Sequence, residues 1–190
     1  MKVVAFNGSP REKGNTASMI REVFKVLEKE GIECELVQIG GNVIRGCQAC
    51  GKCRELQNKR CIIENDLVNS SIAKMIEADG IIIGSPTYFA SLTSETKAFI
   101  DRCGYVSRSN GNLFKRKAGV AVTAVRRAGA LNVFQAINNF YLISEMIVPG
   151  SVYWNLSIAR DLDDFAKDEE GIKTMEILGE NMAWLLKKLS

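Results

Sequence analysis

"KVVAFNGSPREKGNTASMI" (residues 2–20) passes from a short apolar run, through a turn of glycines and small polar residues, into a stretch of helical period. KVVAF at 2–6 reads as a buried strand, because a brief apolar run bounded by turn residues suits a strand covered on both faces. After the turn at 7–15, Met19, Ile20, Val23, Phe24 and Leu27 fall on one face of a helix that Gly31 stops. A strand feeding straight into a helix is the opening of a β-α-β unit.

The rest of the chain repeats that pattern. IECELVQIG (32–40) reads as the second strand, GIIIGSP (80–86) as the third, KAGVAVTAV (117–125) as the fourth and IVPGSVYW (147–154) as the fifth. Helices are expected over 65–80, with Asn65 or Asp66 near the cap, and over 91–104, 130–146 and 172–189. The polar, acidic segment 155–170 reads as surface loop. Five strands with helical crossovers predict an α/β fold: a doubly wound, three-layer α/β/α sandwich on a five-stranded parallel sheet of order 2-1-3-4-5. That order puts a ligand crevice between strands one and three, at their carboxyl ends. Residues 1–190 read as a single domain with a cysteine-rich insertion at about 41–64, since no repeat or composition shift marks a boundary.

Composition narrows the chemistry. The net charge of +3 comes from 25 basic and 22 acidic residues that are interspersed, so nucleic acid and membrane surfaces are not expected partners. No apolar stretch approaches the roughly 20 residues that cross a bilayer, and the opening run is too short for a signal peptide, so a cytoplasmic location is expected. The sequence holds no histidine. That removes His-ligated zinc, Ser-His-Asp triads and Cys-His pairs together.

The turn FNGSPREKGNTA surrounds the positive end of the first helix with short donors: Ser9, Asn15 and Thr16, with Arg11 supplying charge and Gly8 and Gly14 allowing close approach. A phosphate monoester fits such a site, although one capping residue alone would make it a simple polar connection. Neither G-x-G-x-x-G nor G-x-x-x-x-G-K-[ST] is present. The stretch GSPREKGNT (8–16) resembles the phosphate loop of the flavodoxin-like NAD(P)H-dependent FMN reductase family, and GSPTYFASLTSETKAFIDR (84–102) resembles a second segment of that family. The resemblance implies a flavodoxin-like fold, with Ser9, Arg11, Asn15 and Thr16 on the phosphate of FMN. Pro86, Thr87, Tyr88 and Phe89 could offer backbone amides and aromatic surface to the flavin ring, or Tyr88 and Phe89 could be core residues at a strand end. Thr123, Arg126, Arg127 and Gly129, in and after TAVRRAGA (123–130), are further candidates for ring contacts, the arginines being equally readable as a solvated surface pair.

GCQACGKCRELQNKRC (46–61) gathers Cys47, Cys50, Cys53 and Cys61 at spacing C-x2-C-x2-C-x7-C. In a reducing compartment four close thiolates suit an iron-sulfur cluster, zinc or another single metal, or free or disulfide-bonded cysteines. Successive three-residue steps suit a cubane better than the paired knuckles of structural zinc, and the absence of C-x3-C-P separates the run from bacterial ferredoxins. Cys34 and Cys103 read as packed residues. Together with the FMN motifs, the run resembles the iron-sulfur flavoproteins. That resemblance implies a 4Fe-4S cluster on these four cysteines beside FMN, and a homodimer or homotetramer. The expected activity is electron transfer between ferredoxin or NAD(P)H and a small acceptor such as oxygen, peroxide or a quinone, needing no catalytic acid or base from the side chains. The competing readings are a cluster-free NAD(P)H-dependent FMN or quinone reductase, and a zinc-stabilised, flavodoxin-like binding or sensing module.

Overall fold

The computed structural model describes residues 1–189. Five strands, β1 (Lys2–Asn7), β2 (Glu33–Gln38), β3 (Gly80–Pro86), β4 (Ala118–Val125) and β5 (Leu156–Ile158), form an all-parallel sheet in the order β2-β1-β3-β4-β5. Helices α1 (Asn15–Lys29), α2 (Lys52–Leu56), α3 (Val68–Glu77), α4 (Ser94–Ser109), α5 (Ala130–Ile143) and α6 (Glu169–Leu189) cover its two faces. Among the described residues no helix is long and apolar enough to cross a membrane.

Alternation along the central strands builds two cores. Val4, Phe6, Ile81, Ile83 and Ala121 point to a core shared with α3, α4 and α5, while Val3, Ala5, Ile82, Val120 and Val122 point to one shared with α1 and α6. Both faces of β1 and β3 are therefore buried, which is why their sequences are continuously apolar.

The fifth strand lies elsewhere than 147–154. Ile147 makes only an isolated parallel bridge to Ala118. Pro149 lacks a ladder donor, and the chain leaves the sheet there, with Val152, Tyr153 and Trp154 exposed. Pairing resumes at Leu156–Ile158 beside Thr123–Val125, inside the stretch read as loop. That stretch also carries a short 3-10 turn at Asp164–Lys167 and buries Asn155, Ser157 and Phe165. α4 runs past Gly104 to Ser109, and Gly104 lies against the Phe140 ring of α5.

Candidate functional site

The loops that follow β1, β3 and β4 meet at the carboxyl end of the sheet. Gly8 N–H donates to the Gly84 carbonyl at 2.7 Å, and Thr87 N–H to the Ala124 carbonyl at 2.9 Å. A Cβ on Gly84 would lie 2.8 Å from Thr16 Cγ2, and one on Gly129 would lie 3.0 Å from Ala90 Cα and 3.4 Å from Thr87 Cγ2. A Cβ on Gly8 would lie 2.8 Å from the Gly84 carbonyl, so glycines at 8 and 129 let the loops approach their neighbours, and Gly84 lets α1 sit against β3.

The first loop is held from several sides. Asn7 donates to Gln38 Oε1 at 2.7 Å and accepts from Ser9 N–H at 3.1 Å. Gln38 donates at 2.6 Å to both the Ser9 and the Gly40 carbonyls. From the other side, the Thr93 hydroxyl donates to the Gly8 carbonyl at 2.9 Å and caps α4 by accepting from Thr96 N–H. α1 has no side-chain cap and no acidic residue in its first turn, so its leading amides and its positive end stay available to an anion.

The expected phosphate-loop residues fall into different roles. Ser9 accepts from Arg11 N–H at 3.2 Å, and Thr16 is buried in the first turn of α1. The Arg11 side chain is exposed. The Asn15 side chain turns away from the loop, donating to the Asp161 carbonyl at 2.8 Å and accepting from Phe165 N–H at 3.2 Å. Only its backbone amide is left for an anion.

The loop after β3 is a tight reversal in which Tyr88 and Ser91 exchange both backbone hydrogen bonds, at 2.8 and 2.9 Å. Its two central residues, Phe89 (φ 49°) and Ala90 (φ 57°), are left-handed without being glycine, a costly conformation that neighbouring structure must enforce. Phe89 is fully exposed and Tyr88 half-exposed, so neither is a core residue. Pro86 ends β3 opposite Ala124, and the buried Thr87 hydroxyl has no protein partner. Thr123 is wholly buried in β4, where it pairs with Ser85 of β3, and its hydroxyl is also unpartnered. Arg126 and Arg127 are exposed, and Gly129 caps α5 at φ 89°.

Cys47, Cys50, Cys53 and Cys61 line one cavity of about 290 Å³, and all four are free thiols. Among the described residues no three His, Cys, Asp or Glu side chains gather as ligands of a metal ion. The segment is fastened to α3 and α4. Asn69 accepts from Cys61 N–H at 2.8 Å and donates to the Cys61 carbonyl at 2.9 Å. Asn110 accepts from Lys59 N–H at 2.9 Å, and Cys53 Sγ contacts Ser109 Oγ at 3.6 Å. Arg102, 1% exposed, pairs with Asp66 and donates through Nε to Cys61 Sγ at 3.4 Å. Burial alone would lower the Arg102 pKa, but the bonds to Asp66 and Cys61 outweigh it and leave the guanidinium above its ordinary value.

Asn7, Gln38, Thr93 and Arg102 are absent from the residues expected to matter. Gln38 had a signal, a polar residue at the end of a strand. Arg102 had one too, since it lies on the apolar face of α4 between Phe99 and Val106. Cys103 is buried as expected; Cys34 is half-buried, with burial first and then Glu28 and Glu33 pushing its thiol up to about 12.

A family model described as NADPH-dependent FMN reductase matches residues 1–161. An iron-sulfur flavoprotein of Methanocaldococcus jannaschii is 36% identical, covering 98% of both chains, and one of Archaeoglobus fulgidus is 30% identical at the same coverage. Among solved structures, RosB with a bound 8-demethyl-8-formylriboflavin-5'-phosphate superposes with a TM-score of 0.75 at 20% identity, covering 100% of this chain and 80% of that one. A WrbA-like flavodoxin from Agrobacterium tumefaciens gives 0.69 at 16% identity, covering 100% and 98%. At those identities the two structures speak for the fold.

Proposed function

Because the chain belongs to the NADPH-dependent FMN reductase family and to its iron-sulfur flavoprotein branch, we propose that it carries electrons between a reduced donor and a small acceptor through FMN and a 4Fe-4S cluster. Family membership makes it a flavin-dependent oxidoreductase. The finer reading has NAD(P)H or ferredoxin as donor, oxygen, peroxide or a quinone as acceptor, residues 1–190 as one flavin-binding domain, and assembly as a homodimer or homotetramer.

One observation carries this reading: an uncapped helix N-terminus at the carboxyl end of the sheet and a single cavity lined by four free thiols occur in the same chain. For FMN, the fit is chemical. The leading amides of α1, Ser9, the Thr16 hydroxyl and the Arg11 guanidinium would hold the phosphate. The Thr87 hydroxyl, buried without a partner, and the Phe89 amide would meet the polar edge of the ring, with Tyr88 and Phe89 supplying apolar surface and Gly129 leaving room beside them; Pro86 has no N–H, and the Thr87 and Tyr88 amides are taken by the Ala124 and Ser91 carbonyls. Thr123 would support that wall from β4.

For the cluster, four soft thiolates on one cavity suit iron-sulfur or zinc chemistry, and the successive three-residue steps from Cys47 to Cys53 favour the cluster. Cys47, Cys50, Cys53 and Cys61 would be its ligands. Bound FMN supplies one- or two-electron exchange and a bound cluster one-electron exchange. The side chains bind, orient and exclude water, and no acid or base among them is required.

The test is anaerobic purification followed by the visible spectrum and the contents of flavin, iron, sulfide and zinc. Flavin together with iron and acid-labile sulfide in equal amounts is expected, with the iron lost and the flavin kept in Cys50→Ser. Zinc in place of iron would overturn the cluster, and absence of flavin the whole reading.

A further inference from the structure

We infer that Arg102 is a positioning residue that fixes the Cys61 sulfur for a bound cluster and keeps a permanent positive charge against it. The inference rests on the cluster reading above. Arg102 lies on the buried stripe of α4, with Phe99 and Val106 one turn away on either side. An arginine there gives up its hydration, so its donors require partners.

They have them. Nε donates to Cys61 Sγ at 3.4 Å, Nη2 to the Ile63 carbonyl at 2.9 Å, and Nη1 to the Arg45 carbonyl at 3.3 Å and to Asp66. Residues 45 and 63 flank the cysteine segment, so one guanidinium ties both its ends and its last cysteine to a helix of the core. Stability alone is a poor reason for this arrangement, because a buried ion pair is often replaced by apolar side chains without loss. What apolar side chains cannot reproduce is a fixed N–H donor on a ligand sulfur. Hydrogen bonds to ligating sulfurs and nearby positive charge favour the reduced, more negative form of a cluster and so raise its reduction potential. Arginine keeps that charge at every working pH, and its planar fork spans partners that a lysine ammonium cannot reach together.

The experiment compares the wild type with Arg102→Lys and with the double variant Arg102→Gln/Asp66→Asn, which removes both buried charges so that neither is left unpaired. FMN content and circular dichroism report folding. In the loaded protein the cluster midpoint potential is expected to fall in Arg102→Lys, which loses the fixed donor on sulfur, and to fall by less in the double variant, where loss of the Asp66 carboxylate acts in the opposite sense. Iron loss to a chelator is expected to quicken by about 10- to 100-fold, the usual scale of ligand-supporting contacts. In the cluster-free protein, amide hydrogen exchange across residues 45–63 is expected to accelerate. An unchanged potential in the folded variants overturns the inference, even where the segment loosens. If the wild type holds no iron the cluster reading fails on its own account, whereas unchanged exchange at 45–63 rejects Arg102 as the tie.

Discussion

The Gln38 side-chain amide donates to the Ser9 carbonyl at 2.6 Å, so the proposed phosphate loop is braced from the edge strand as well as by its own turn. Gln38 also accepts from Asn7 and donates to Gly40, which makes one side chain the link between the loops after β1 and β2.

Gln38→Leu removes three hydrogen bonds while keeping a similar volume. At about 0.5–1.5 kcal/mol for each bond, a loss of about 2 kcal/mol in stability is expected. FMN affinity should weaken by about tenfold, which corresponds to 1.4 kcal/mol. Urea unfolding and flavin fluorescence titration measure the two effects, and unchanged affinity would show that the brace does not shape the loop.

Gly40→Ala acts at the same contact by a different cause. An added Cβ would fall inside the Ser9 backbone, which cannot yield as a flexible side chain does. We expect a larger loss of FMN binding than for Gln38→Leu, seen in the same titration.

Arg11 is exposed, so its contribution to the proposed phosphate site should be electrostatic and screened by salt. Arg11→Ala is expected to weaken FMN several-fold at low ionic strength, less at high, and to leave riboflavin binding unchanged. Equal losses for FMN and riboflavin would place Arg11 away from the phosphate.

The cysteines should divide in two by reactivity. Cys34 is pushed up to about 12 by burial first and then by Glu28 and Glu33, and Cys103 is raised further by burial. Both shifts disfavour the thiolate, so at pH 8 neither residue should be alkylated in the folded, cluster-free protein. Cys47 and Cys50 are exposed and should react first. The sign also bears on stability: a raised folded pKa keeps its contribution below the ordinary thiol range and loses it as pH climbs toward about 12. Mass spectrometry after iodoacetamide at pH 8 gives the order, and early modification of Cys34 would contradict it.

The sheet was legible because its central strands are short apolar runs closed by turn residues, Gly8-Ser9-Pro10 after β1 and Ser85-Pro86 within β3. β5 was not, because a three-residue edge strand with one buried residue leaves no period to read, whereas the apolar run at 147–154 is largely surface. The candidate site was legible as loops rather than as contacts. Asn15 stands in the expected turn, yet its side chain is taken by residues 161 and 165, at the far end of the chain. Arg102 was visible only as a charge on an apolar stripe; its partners at 45, 61, 63 and 66 are set by tertiary packing.

The central claim, that FMN sits across the carboxyl end of the sheet with its phosphate on the first turn of α1, is tested most directly by a crystal structure grown with excess FMN. The account predicts phosphate oxygens on the backbone amides between Ser9 and Thr16, and the ring against the loop from Pro86 to Phe89. Flavin ordered at another place, or no flavin at all, would contradict it.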